Sequence, residues 1–183
     1  MKSTLSQIFI FSIGLTFSCN QEESNPYGFT GNSSAYKNTD KWLSGLRATP
    51  NKTMKVGVDL DFTVTNKDGV AIENLFLYKV KLLNTKQSIN FTDISSANDS
   101  TGVYYTTLLA DGDVIGDIYE LDTLASTNFL LLTNIDPNGK KIEGIFSIHL
   151  KLKRDDGIGP TPLLKIIFSD GVFQSRMDPE WLK

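Results

Sequence analysis

Ile142–Lys153, read as IEGIFSIHLKLK, is the stretch that decides the fold. Phe146, Ile148, Leu150 and Leu152 take every second position, and Ser147, His149, Lys151 and Lys153 stand between them. An apolar period of two sends one set of side chains to a core and the other to water, which is the signature of a half-buried strand rather than a helix. The same period recurs upstream. Met54, Val56, Val58, Leu60, Phe62 and Val64 alternate with Lys55, Gly57, Asp59, Asp61, Thr63 and Thr65, and Phe76, Tyr78, Val80 and Leu82 repeat the pattern against Lys79 and Lys81.

Turn chemistry separates these runs. Val103–Leu109 and Val114–Leu121 flank Ala110-Asp111-Gly112-Asp113, where Asp-Gly supplies the positive φ of a tight hairpin. Phe129–Ile135 leads into Asp136-Pro137-Asn138-Gly139, a second turn with Pro preset at its second position. Beyond an Asp155–Pro162 loop, Leu163–Phe168 and Val172–Met177 read as two strands broken at Ser169-Asp170-Gly171. Some eight strands joined by turns too short for parallel crossovers make an antiparallel all-β domain. Such strands close as a two-layer sandwich or as a barrel. The inward rows are Phe, Ile, Leu and Val, which would fill a ligand-holding barrel, so the expectation is a two-layer β-sandwich over residues 41–183.

The N-terminus carries a different signal. Lys2 precedes the apolar run Ile8–Phe17, which is far shorter than the roughly 20 residues of a membrane-spanning helix. Ser18-Cys19 follows, and then the polar Asn20, Gln21, Glu22 and Glu23. The arrangement resembles a type II signal peptide, which implies cleavage after residue 18 and acylation of Cys19, the chain's sole cysteine. Leu15 sits one place earlier than the usual pattern has it. Two or more acyl chains hold a protein on a membrane where one is marginal. Gln21-Glu22-Glu23 resembles the acidic export signal of surface-displayed Bacteroidota lipoproteins, which implies an outer-membrane, outward-facing protein. Residues 19–40 are rich in Asn, Ser and Gly and read as a flexible tether.

Removing residues 1–18 leaves 165 residues and takes away Lys2, so the formal charge moves from −3 to −4. That mild, mixed charge contains no basic block, which argues against nucleic acid as a partner. The sequons at Asn32, Asn51, Asn90 and Asn98 carry no weight under a bacterial signal. Asp99-Ser100-Thr101 and Asp122-Thr123-Leu124 resemble the O-glycosylation pattern of exported Bacteroidota proteins.

A wider resemblance lies in Phe129–Asp136, Lys141–Ser147 and Ile167–Phe173. Gly144-Ile-Phe-Ser147 and Ser169-Asp-Gly-Val-Phe173 are similar to the closing G-x-F-S and S/T-D/N-G-x-F strands of Bacteroidota (flavobacterial-type) lipoprotein domains. The similarity covers a quarter of the chain and lies in structural residues. It implies fold and origin, and no catalytic residue.

Chemistry-bearing groups are sparse. An acyl-transfer triad needs a base beside a nucleophile, and His149, the one histidine, sits mid-strand on the wet face. Asp59 and Asp61 share a strand face at a carboxylate-pair spacing, which reads as a charged edge against aggregation. Asn134-x-Asp136-x-Asn138-Gly139 imitates an EF-hand start, yet its twelfth position is Ile145. Asp111, Asp113 and Asp117 are another acidic run, and one of the adjacent Tyr104 and Tyr105 must face outward as a possible sugar platform, with Trp42 and Trp181 bracketing the domain. No pattern calls for a metal or a cofactor. The reading is a lipid-anchored envelope sandwich acting as a non-catalytic binding or accessory module for a glycan or a protein partner. The alternatives are a small apolar-ligand carrier of barrel form and an Asp-based hydrolase.

Overall fold

Most of the alternating apolar runs become strands among the described residues, and residues 54–56 lie outside them. A computed structural model describes residues 27–51, 57–90, 100–109, 111–136, 141–158 and 161–176. Within them run β1 (Gly31–Lys37), β2 (Asp40–Pro50), β3 (Gly57–Thr65), β4 (Ala71–Lys81), β5 (Lys86–Ser88), β6 (Gly102–Leu108), β7 (Ile115–Leu121), β8 (Phe129–Ile135), β9 (Lys141–Arg154) and β10 (Lys165–Arg176). Every pairing is antiparallel.

The expected sandwich is wrong, because the sheet closes on itself as an eight-stranded barrel of β1, β2, β3, β4, β6, β7, β9 and β10. One inward row shows the closure. It leaves β9 at Ile142, crosses Ser175, Gly31, Leu46, Phe62, Leu75, Tyr105 and Tyr119 by register partners, and returns to β9 at Leu152, ten residues further on. An even displacement keeps inward residues inward after a full circuit. Ten residues of rise set against eight interstrand spacings tilt the strands by about 40°, within the range of closed barrels.

The argument for a sandwich assumed that a barrel must be hollow. Here the bulky residues fill it. Trp42 meets Phe168 edge-on with ring centroids 4.9 Å apart, Phe62 lies 5.3 Å from Phe146, and Tyr105 lies 5.5 Å from Phe168, all within one buried cluster. An eight-stranded barrel is just wide enough for side chains to fill.

Three local departures follow from side-chain size and backbone conformation. First, β1 lies in the stretch read as tether, since its inward Ser33 and Ala35 are too small to show an apolar alternation. Second, Lys79 adopts φ 56° at a bulge in β4, which reverses the facing of that strand: Leu75 and Leu77 point inward before it, Val80 after it, and Phe76 and Tyr78 outward. Third, Leu163–Met177 is not two strands. β10 runs through, with a bulge between Phe168 and Gly171 and Asp170 at φ 50°.

β9 has one edge covered by β10 and the other shared, with β8 against its first half and β7 against its second. The chain between β7 and β8 is stitched to β9 by Asn128, which donates from Nδ2 to the Asp122 carbonyl at 2.8 Å and accepts the His149 amide at 2.7 Å. β5 extends the wall beyond β8.

Candidate functional site

The outer face of β1, β2, β8, β9 and β10 carries two adjoining grooves. One, of about 720 Å³, crosses from Thr65 on β3 to Thr133 on β8, and the other, of about 420 Å³, lies between Phe129, Ser147 and Asp170. Ile145 and Val172 border both. Strand pairing explains the surface. Leu43, Ser34, Val172, Ile145 and Leu131 are successive partners across five strands and form an apolar track, with Leu43 and Val172 half-exposed. Beside it Gly45, Asn32, Gln174 and Glu143 form a polar row.

Glycine lets the core rings close up beneath the wall. A Cβ on Gly144 would stand 2.5 Å from the Phe173 ring, and one on Gly171 would stand 2.6 Å from the Phe146 ring. Both glycines face the core, so both rings press against the strand backbone from inside, and that backbone, lying between the outward rows, floors the grooves. The size falls within the roughly 300–1,000 Å³ of small-molecule sites, and an apolar floor with polar margins is their usual composition. At the margin, Glu143 pairs with Lys141 and accepts from Asn134 Nδ2 at 3.3 Å; these donors, Lys141 foremost, hold its carboxyl below the usual range.

A second polar constellation closes one mouth of the barrel from within. The Glu73 carboxylate takes the Lys37 ammonium on Oε1 and the Trp42 Nε1–H on Oε2 at 2.8 Å, and Tyr105 adds a hydrogen bond. Burial first, and Glu73 second, push the Tyr105 hydroxyl up. Every group has a partner, so the cluster ties β1, β2, β4 and β6 together as a plug. Sequence reading missed Glu73 because the facing of β4 was read from Phe76 and Tyr78. The signal was a lone acid in phase with Leu75 and Leu77.

The other sequence candidates are held by local partners. Asp59 accepts from Asn51 Nδ2 at 2.7 Å and from the Lys79 amide at 2.8 Å; Asp61 accepts from Arg47, Thr63 and Asn74. Both therefore serve the outer wall. His149 Nε2 lies 2.8 Å from Thr127 Oγ1 at the surface. Tyr104 is the outward member of its pair, half-buried with its ring 5.3 Å from Phe76. Burial foremost, then Asp61 and Asp59, raise its hydroxyl pKa. Asp111 and Asp113 sit in the β6–β7 turn, apart from Asp117, whose carboxylate gathers with Asp155 and Asp156. Asn134 and Ile135 belong to β8, in a strand rather than a calcium loop. Cys19, Gln21, Glu22, Glu23 and Trp181 lie outside the described residues, as does the turn at Pro137–Gly139.

No protein-family model, curated protein or solved structure matches this chain.

Proposed function

We propose that this chain is a lipid-anchored envelope barrel that holds a small amphipathic ligand in the outer grooves, a carrier or accessory module without catalysis. The observation that carries this reading is the outward row of Leu43, Ser34, Val172 and Ile145, apolar but for Ser34 and bounded by amides and hydroxyls. The filled interior directs a ligand to the outside of the wall rather than into the barrel. The carboxylates of Asp59 and Asp61 each accept structural hydrogen bonds from the outer wall, which speaks against the hydrolase reading.

N-phenyl-1-naphthylamine, an uncharged probe whose fluorescence rises in apolar surroundings, tests the groove. The wild-type chain should enhance its emission saturably, and Val172→Arg, at an exposed position bordering both grooves, should abolish the enhancement while leaving the melting temperature within a few degrees. Equal probe binding by the two proteins would refute the reading. Anchorage belongs to the same proposal and rests on Cys19. Cys19→Ser should move the protein from the membrane to the soluble fraction, and retention on the membrane would remove the lipid from the account. The acidic Glu22 and Glu23 would then direct display outward, and a Glu22→Ala, Glu23→Ala variant should become protected from protease added to intact cells.

A further inference from the structure

Charge along the grooves narrows the ligand further. Among the described residues that line them, the ionisable side chains are Glu143 and Asp170, both acids; the polar remainder, including Asn32, Gln174, Ser147 and Ser169, is uncharged. The two carboxylates lie on either side of the stretch where Ile145 and Val172 face outward. Lys141 and Arg176 stand one row beyond Glu143 and Gln174, register partners of each other and outside both linings, with Lys141 committed to Glu143, and Lys86, also outside the linings, is engaged over the ring of Phe129 at the smaller groove, 4.2 Å from its centroid.

Asp170 is the freer of the two acids. At the β10 bulge Ser169 and Asp170 together oppose the single residue Ser147, because Phe168 pairs with Ile148 and Gly171 with Phe146. Asp170 takes φ 50°, a conformation that aspartate tolerates better than most residues, and its side chain is exposed at the border of the smaller groove. It forms no ion pair among the described residues. A carboxylate at the rim of an apolar track attracts a cation and repels an anion, and both effects strengthen as the ligand displaces water.

We infer that the ligand is an amphiphile with a cationic head, an aliphatic amine or quaternary ammonium, whose hydrocarbon lies on Val172 and Ile145 and whose charge is met by Asp170, with Glu143 as the second acid. This rests on the carrier reading of the grooves.

Competition against bound N-phenyl-1-naphthylamine, on the full chain carrying Cys19→Ser, separates the two claims. Dodecyltrimethylammonium, dodecyl maltoside and dodecanoate share a tail and differ in head, and each is used below its micelle-forming concentration. The ammonium should displace the probe at a concentration about tenfold lower than the carboxylate, a difference of about 1.4 kcal/mol. Asp170→Asn should erase most of that preference and leave displacement by the maltoside unchanged, and Glu143→Gln should erase the rest. Equal displacement by all three, a preference for dodecanoate, or an ammonium preference that survives both substitutions would overturn the cationic assignment while the groove stands. Failure of the wild-type chain to bind the probe would overturn the groove itself, and the assignment with it.

Discussion

Phe146 and His149 are three positions apart on β9 and face opposite ways, one 1% exposed in the aromatic core and the other bonded to Thr127 at the surface. Phe146→Ala should cost about 3–5 kcal/mol in urea unfolding, through lost burial and the cavity left among Phe62, Phe173 and Gly171. His149→Ala should cost less than about 0.5 kcal/mol. Glu73 is the residue where charge and burial meet, and Glu73→Ala should cost about 2–4 kcal/mol because it strands the Lys37 ammonium and the Trp42 N–H together. Tyr119 supplies a pH dependence. Burial first, then Asp117 and Asp155, raise its hydroxyl from 10.0 to about 12. A group that holds its proton more tightly when folded stabilises the fold below its unfolded pKa and loses that contribution as pH rises through the folded one. Stability should therefore fall between pH 10 and 12. Tyr119→Phe should make that alkaline fall shallower, with Tyr104 and Tyr105, whose hydroxyls are also raised, supplying the remainder, and an unchanged limb would show that Tyr119 has no part in it.

At the scale of the element, strands announced themselves where both faces contrasted and hid where they did not. β9 was legible from its alternation alone. β1 was not, because a strand whose inward residues are Ser33 and Ala35 resembles a linker until its neighbours are known. β4 was legible as a strand and illegible in facing, since the bulge at Lys79 resets the period and no single residue type marks it. The same holds for glycine. Gly144 and Gly171 look like strand weaknesses in sequence, and it is the core rings a Cβ would strike that explain why glycine stands there. Gly144→Val should meet the Phe173 ring and the Leu131 carbonyl, the latter 2.7 Å from the new Cβ and fixed by strand pairing, at a cost of about 1–3 kcal/mol in urea unfolding. A neutral result would mean that the wall is looser than its pairing implies.

For the whole molecule, antiparallel order followed from period and turn chemistry, whereas the number of strands and their closure did not: ten strands stand where about eight were expected, because β1, β2 and β5 were not read and β10 was read as two. A sandwich and a filled barrel present the same inward rows. What separates them is the displacement accumulated over eight pairings, a quantity present in no one strand. Composition weighed bulky side chains against a hollow barrel and left out a barrel packed by its own aromatics. The groove strands β2, β1, β10, β9 and β8 are successive neighbours, and the barrel is completed by the pairing of β7 with β9. The account therefore stands on the β7–β9 seam. Interstrand nuclear Overhauser effects measured on the full chain test it directly: contacts between the backbones of Tyr119 and Leu152 and of Leu121 and Leu150 should appear together with those between Ile142 and Ser175. Presence of the second set without the first would mean an open sheet, and would contradict the barrel.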